Sequence, residues 1–201
     1  MSYNFFAAIS RMKYINRWQL MRNFREENLC EHSMEVAMIA HALCVIGNVR
    51  YGKSLDPDKA ALIGLYHDAS EIITGDMPTP VKYYSADIRD SYKQVETFAR
   101  EKLLQKLPED LRPAYEEIFE PDDRKSSPDE LYLMKLVKAA DQLSALIKCM
   151  EETASGNGEF RTALESTRKK LEQTSCKLPE VSDFMRDFLP PYGQTLDELS
   201  S

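Results

Sequence analysis

Residues 65–80 read LYHDASEIITGDMPTP. Within five residues this stretch sets down His67, Asp68 and Glu71, and it closes on a Gly-Asp-Met-Pro-Thr-Pro loop that holds another carboxylate, Asp76. The approach to it is helical in character. Asp56 suits an N-cap and Pro57 the first helical position, and the pattern predicts one helix running on through Thr74. At about 100° per residue, Leu62, Leu65, Tyr66, Ala69, Ile72 and Ile73 fall on one broad face, with His67, Asp68 and Glu71 on the other. His67 and Glu71 stand one helical turn apart, as do Asp68 and Glu71, so the three side chains can converge. Taken alone, the trio reads equally well as the polar face of an amphipathic helix.

The rest of the chain follows a helical period as well. Glycine is scarce, seven in 201 residues, and strand-like alternation of Val, Ile or Thr is rare. Helices are predicted over 4–13, from Ser33 to Val45 with Glu31 in the first turn, over 86–106, briefly from Tyr115 to Phe119, and over 129–153, 159–173 and 180–188. Asn48 to Ala60, NVRYGKSLDPDKA, reads as a connection. Residues 107–130 read as a long surface connection, and the Gly-Asn-Gly turn at 156–158 ends the long helix before it. Residues 176–201 read as a Pro-rich C-terminal tail. No internal repeat or low-complexity tract is present. The expectation is an all-α fold and a single domain over 1–201.

Composition narrows the function classes. Hydrophobic residues make up 43% and charged residues 29%, with a net charge of -7, as in a soluble globular chain. Lys and Arg are dispersed, which argues against a nucleic acid polymer as partner but leaves room for a small anionic ligand. Cys30, Cys44, Cys149 and Cys176 form no C-x-x-C pair and read as free thiols of a reducing cytosol. The N-terminus has no signal-peptide pattern, and no apolar run approaches the roughly 18 residues that cross a bilayer. A cytoplasmic protein without a membrane partner is expected.

Two distant positions change the reading of the trio. His32, in ENLCEHSMEVAMIAHAL, enters a helix that is apolar nearly all round, from Met34, Val36, Ala37, Met38, Ile39, Ala40 and Leu43. Such a helix belongs at the centre of a fold. A buried histidine needs a partner for each ring nitrogen, and by itself His32 reads as a core histidine bonded to backbone. Asp141, in LYLMKLVKAADQLSALIKCM, has Leu133 and Val137 before it and Ala145 after it on its stripe. A carboxylate there is costly unless it is paired or ligates a metal. An ion pair with Lys138 or Lys148 is the weaker alternative, because both lysines can reach solvent. Three helices thus offer His32, His67, Asp68 and Asp141. This mixed N/O set suits Mn, Co, Fe, Ni or Zn better than Mg, and without thiolate it is no structural zinc site. His41 lies nine residues after His32, about 180° round the helix, and is set apart as a structural histidine.

The pattern His32, His67-Asp68, Asp141 resembles the HD-domain metal-dependent phosphohydrolase superfamily. The flanking stretches NRWQLMRNFREENLCEHSMEVAMIAHAL, LYHDASEIITGDMPTPVKYY and LVKAADQLSALIKCMEE look like the bacterial 5'-deoxynucleotidase family in particular. The likeness runs from FFAAISRMKYINRW to Gly156–Phe160 and is weakest over 107–130 and in the tail. It implies an HD-domain helical bundle that hydrolyses deoxyribonucleoside 5'-monophosphates to deoxynucleoside and phosphate and discriminates against ribonucleotides. It further implies a homodimer and one divalent metal ion, with Co, Mn or Cu supporting activity. His32, His67, Asp68 and Asp141 match the four ligand positions.

Reading that chemistry onto the residues gives each a role. Glu71, one turn beyond His67 and not a ligand, is the candidate acid/base for the attacking water. Asp76 either bonds the sugar 3'-hydroxyl or assists proton transfer; a plain turn residue is the bland alternative. Arg17 suits a bidentate phosphate contact. By the resemblance, the Trp18 ring lies against the sugar, where a 2'-hydroxyl would clash or lose hydration. An exposed Arg and a core Trp are the ordinary readings of these two. The substrate set is completed by Met77, Pro78 and Thr79 of the loop and by His32, Asp68 and Asp141 of the ligand set. Met77 stands where Leu is also expected. The rivals are another HD hydrolase, acting on cyclic nucleotides, nucleoside triphosphates or alarmones, and a non-catalytic HD scaffold. The intact ligand set and Glu71 argue against the scaffold.

Overall fold

The chain opens with a short helix, α1 (Phe5–Ile9), that tightens into a 3-10 turn at Ser10–Tyr14. The computed structural model describes residues 2–82, 84–119 and 127–200, and of Thr79 and Pro80 only the backbone. An irregular segment then leads to α2 (Leu29–Tyr51), which starts on a capping box. Asn28 Oδ1 accepts from the N–H groups of Cys30 and Glu31, and the Glu31 carboxylate accepts from the Asn28 N–H. Three otherwise orphaned donors are satisfied, those of Asn28 and Glu31 reciprocally.

α2 ends only at Gly52, whose φ of +62° suits a left-handed cap. Asn48–Tyr51, expected in a connection, is therefore helical. Gly47 and Asn48 look like stop signals, but their surroundings override local preference. Asn48 bonds both the N–H and the carbonyl of Leu55 through its amide, and Gly47 lets Glu180 and Leu55 approach the helix. α2 has the length and apolar content of a membrane span, contrary to the expectation that no apolar run comes near that length. More than half of that window is buried inside the fold.

α3 (Pro57–Tyr66) begins as expected, with Asp56 Oδ1 accepting from the Lys59 N–H at 2.9 Å and Pro57 in the first turn. It does not continue to Thr74. The chain tightens at His67–Ser70 through i→i+3 bonds, such as Ala69 N–H to Tyr66 O and Glu71 N–H to Asp68 O, before α4 (Glu71–Thr74). The expected apolar face is turned inward only in part: Ala69 is buried and Tyr66 and Ile72 are half-buried. Leu62, Leu65 and Ile73 are exposed, whereas Ala60, Ile63 and Gly64 are buried. Size decides the face: a Cβ on Gly64 would stand 2.8 Å from Ala37 Cα, so only glycine allows α3 to approach the backbone of α2 this closely. Gly64→Ala is expected to cost about 1–3 kcal/mol through overpacking, or roughly 3–10 °C in Tm. Thermal melting by circular dichroism checks this, and an unchanged Tm would mean that the helices can part at no cost.

After α5 (Thr79–Lys82) come α6 (Ala86–Leu104) and α7 (Arg112–Phe119). The segment expected as a surface connection contributes to the interior, because Leu107 and Phe119 are buried and Tyr115 packs edge-on against Phe5. Its remainder, residues 120–126, lies outside the described part. α8 (Pro128–Ala154) carries a second capping box, from Ser127 and Glu130, and stops before Gly156, whose φ is +91°. α9 (Arg161–Ser175) and α10 (Pro179–Asp187) follow, then a last turn, α11 (Leu196–Leu199). Leu178, Val181, Phe184 and Leu189, within the expected tail, are core residues. Among the described residues there is no strand, only an isolated bridge between Asn16 and Asn28, and the fold is all-α.

Two apolar clusters form the interior. The larger joins α2, α3, α8, α9 and α10, including Val36, Ile63, Leu136, Leu143, Leu171 and Val181. The smaller joins Phe5, Met12, Leu29, Ala69, Leu103 and Phe119. The boundary between them runs through α2 between Leu29 and Val36 and through the next layer between Ile63 and Ala69. His32 and the pair His67-Asp68 stand in those two intervals. The polar residues occupy the seam between two cores.

Candidate active site

His32 projects from the second turn of α2 and is fully buried. Its Nδ1 is 3.0 Å from Ser144 Oγ on α8, and the Ser144 hydroxyl donates to Glu35 Oε2 at 2.6 Å. With its own hydrogen committed to Glu35, Ser144 accepts from His32 Nδ1–H, which leaves the lone pair on Nε2. His67 is fixed in the same sense: its Nδ1–H donates to the Gly64 carbonyl at 2.7 Å. The rings are tilted, with centroids 5.2 Å apart. Both Nε2 atoms are buried and neither has a hydrogen-bond partner.

Two carboxylates meet those atoms. Asp68 Oδ2 is 3.1 Å from His67 Nε2 and 3.5 Å from His32 Nε2, and Asp141 Oδ1 is 3.3 Å from His32 Nε2. The donor atoms of His32, His67 and Asp141 all lie within 4.8 Å of one another. Ligands that share one ion at about 2.0–2.2 Å are spaced in this range. Two orphaned imidazole lone pairs, each oriented from behind by a bond to the other ring nitrogen, fit a transition ion as second-shell bonding usually does. Three of the four predicted ligand positions, His32, His67 and Asp141, form that group from α2, α8 and the tightened turn after α3; Asp68 is not part of it but lies against both imidazoles. His41 does not join them; it is half-exposed and lies 4.0 Å from Asp58.

The charges around the spot are mostly negative. With no ion bound, burial alone would lower His67, but the Asp68 charge outweighs it and pushes the imidazole up to about 9, so a metal and a proton would compete for its Nε2 lone pair. Burial works to raise Asp68 and Asp141, and the imidazoles overcome it and hold both carboxyls below the usual range. Glu71, on α4, is buried and its Oε2 has no partner. Burial first, then the charges of Asp68 and Asp76, drive its carboxyl up to about 9. Asp76 is raised by burial and is held partly in check by Arg17 and by the Trp18 backbone N–H that it accepts. A site so rich in carboxylates calls for a cation.

Arg17 is the fixed positive charge facing them. Its Nη1 is 3.0 Å from Glu27 Oε1, and its side chain is only 12% exposed. Burial acts against its charge, but Glu27 and then Asp68, Asp141 and Asp76 hold it firmly protonated. The backbone joins the same pair, with Arg17 N–H donating to Glu27 O at 2.8 Å. Glu27 also lies 3.5 Å from His32 Nδ1, so one carboxylate links the arginine to His32. Next to it, Trp18 adopts φ +58°, a left-handed conformation that costs an L-residue about 1–2 kcal/mol. Its indole packs on Phe160 at 5.4 Å, and its Nε1–H is buried without a partner.

Met77 and Pro78 are half-buried in the loop after α4; the Pro78 carbonyl caps the next turn by accepting from Val81 and Lys82. The side chain of Thr79 lies outside the described part. The ion pair considered for Asp141 is absent. Lys148, expected to reach solvent, is 5% exposed and bonds Glu152 instead. Glu27, Glu35, Ser144 and Gly64 were not foreseen as site residues. Each looks ordinary in the sequence, and each becomes relevant only through a partner in the folded chain.

The model of the family described as YfbR-like 5'-deoxynucleotidase matches residues 4–192. A 5'-deoxynucleotidase of Erwinia tasmaniensis is 49% identical over 197 residues, covering 98% of this chain and 96% of that protein. The 5'-deoxynucleotidase YfbR of Shigella flexneri is 47% identical over 199 residues with the same coverage. Among solved structures, an HD-domain phosphohydrolase of Listeria innocua aligns with a TM-score of 0.79 at 21% identity, covering 98% of this chain and 92% of that one. The HD phosphohydrolase DatZ of cyanophage S-2L, bound to dA and one catalytic Zn2+ ion, aligns with a TM-score of 0.62 at 18% identity, covering 94% and 96%. At these identities the structural likeness speaks for the fold.

Proposed function

This chain belongs to the YfbR-like 5'-deoxynucleotidase family and hydrolyses deoxyribonucleoside 5'-monophosphates; from that premise we propose how its residues divide the work and that it rejects ribonucleotides. The observation that carries the reading is the pair of buried Nε2 lone pairs facing Asp68 and Asp141, with Arg17 and Glu71 beside them.

His32, His67, Asp68 and Asp141 would hold one divalent metal ion, which when bound polarises a phosphoryl oxygen and makes water more acidic. Co, Mn or Cu is the proposed ion. Arg17, immobilised by Glu27, orients the phosphate through its guanidinium. Glu71, whose raised proton affinity a bound cation would bring down, takes the proton of the attacking water. Asp76 lies on the sugar side, next to the Trp18 backbone, where it bonds the 3'-hydroxyl or delivers a proton to the leaving oxygen. Met77 and Pro78 complete the wall of the substrate site, which His32, Asp68 and Asp141 also line. The Trp18 ring covers C2' and leaves no room for a second hydroxyl.

Phosphate release from dAMP and AMP with added Mn or Co tests this. The expected preference for dAMP is roughly 10²-fold, the scale on which an apolar wall rejects one added hydroxyl, and dATP and cyclic AMP remain intact. Trp18→Ala is expected to erase most of the preference. Equal rates on dAMP and AMP in the wild type would remove the sugar role from Trp18.

We take residues 1–201 as one cytoplasmic HD domain that works as a homodimer. The four free cysteines suit the cytosol. The α2 residues Met34, Met38, Val45 and Val49 are an exposed apolar stripe suited to a second copy. A light-scattering mass near 23.1 kDa, rather than twice that, would refute the dimer.

A further inference from the structure

Eleven residues after Asp141, and so nearly on the same side of α8, stands Glu152, 2% exposed. It makes no contact with the metal ligands. Its two oxygens receive four donors: Oε2 accepts from Phe24 N–H at 2.9 Å and Asn157 Nδ2 at 2.7 Å, and Oε1 accepts from Arg25 N–H at 3.1 Å and Lys148 Nζ at 2.5 Å. Lys148 Nζ also donates to the Arg25 carbonyl, and Asn157 Nδ2 to the Arg22 carbonyl at 2.6 Å. Four backbone groups of the irregular segment before α2 are thereby tied to the C-terminal end of α8. These donors hold the Glu152 carboxyl down to about 2 against the burial that would raise it.

The same segment carries Arg17 and Trp18. The Trp18 carbonyl accepts from Met21 N–H at 2.9 Å and from Asn23 Nδ2 at 3.1 Å, so its left-handed backbone is closed by the residues just before the anchored ones. On the other side, its ring rests on Phe160, which is fully buried, follows Asn157, and has Lys148 Nζ 5.5 Å from its ring centroid. Backbone and ring of Trp18 are thus both braced by one buried cluster. A strained conformation persists only where the surroundings fix it, and here the surroundings are Glu152, Lys148, Asn157 and Phe160.

We propose that Glu152, through Lys148 and Asn157, is a positioning residue that sets the Trp18 ring against the sugar and so sets the discrimination between deoxyribose and ribose. This rests on the reading of Trp18 given above, and the test separates the two. Trp18 is the chain's only tryptophan, so indole fluorescence of the full-length protein reports on it alone. Glu152→Gln keeps the shape and removes the charge that pairs with Lys148. The expected result is a red-shifted emission, greater quenching by acrylamide, and a fall of about tenfold in the ratio of kcat/KM for dAMP over AMP, as a small misplacement of a positioning group commonly brings. The ratio does not depend on the fraction of active enzyme, so lost stability alone would not move it. Phe160→Leu, which leaves the charged cluster intact, is expected to act in the same direction and serves if Glu152→Gln does not fold. Wild-type emission and quenching in these variants would overturn the proposal. Altered fluorescence with an unchanged ratio would also overturn it if Trp18→Ala does shift the ratio. If Trp18→Ala leaves the ratio unchanged too, the sugar reading of Trp18 fails and the functional half of the proposal goes with it.

Discussion

Asp68→Ala is expected to reduce phosphate release from dAMP by on the order of 10³-fold or more, the several kcal/mol that a metal centre supplies to a phosphoryl transition state. Two losses combine. One carboxylate disappears from the group that faces both Nε2 atoms. The charge that raises His67 goes with it, so the electrostatic frame of the site changes as well. Asp68 belongs to neither apolar cluster, so the melting curve is expected to stay cooperative. Elemental analysis after loading with Mn or Co should find the variant depleted of metal. Asp58→Ala is the matched control. It removes a carboxylate that also neighbours a histidine, His41, but at the exposed end of α3, and full activity is expected. An Asp68→Ala protein that keeps a tenth of wild-type activity would mean that the ligand set is wrongly drawn.

The parts of this site that were legible in the sequence are those where a polar side chain interrupts an apolar frame. His32 and Asp141 stood out because their neighbours Val36, Leu133 and Val137 are core residues, and burial of a polar group demands an explanation. The Asp56-Pro57 start of α3 was legible because caps are local chemistry. What was not legible depends on partners far along the chain. Glu27, Glu35 and Glu152 read as ordinary helix or loop acids, and their roles come from Arg17, Ser144 and the Phe24–Arg25 backbone. Glu152 stands one helical turn beyond Lys148, but the burial of both follows from the Phe24 and Arg25 backbone that covers them, which nothing local announces. Hydrophobicity alone does not give the buried face of α3, because size also decides it. Gly64 and Ala60 face α2 because they are small, and Leu62 and Leu65 are left outside. Gly64 has a functional side too, since its carbonyl accepts from His67 Nδ1 three residues further on.

Glu71→Gln is expected to separate acid/base work from metal binding. The substitution keeps the shape of a buried side chain and removes its capacity to exchange a proton, so kcat is expected to fall by about 10²–10⁴-fold. The donor atoms of His32, His67 and Asp141 form their group without Glu71, so metal content is expected to match the wild type, in contrast to Asp68→Ala. KM for dAMP should change little, because a group that acts only in the chemical step leaves ground-state binding intact. The surroundings favour this role over that of a passive helical acid. Glu71 has a partnerless buried oxygen, it is raised by burial and by Asp68 and Asp76, and it is drawn back by Arg17 and Lys82. A carboxyl in that balance changes its proton affinity with each charge that enters the site, which an acid/base group must do. Loss of metal in Glu71→Gln would instead make Glu71 a ligand, and activity within tenfold of wild type would leave the proton transfer to Asp76, the other carboxyl raised by burial at the same site.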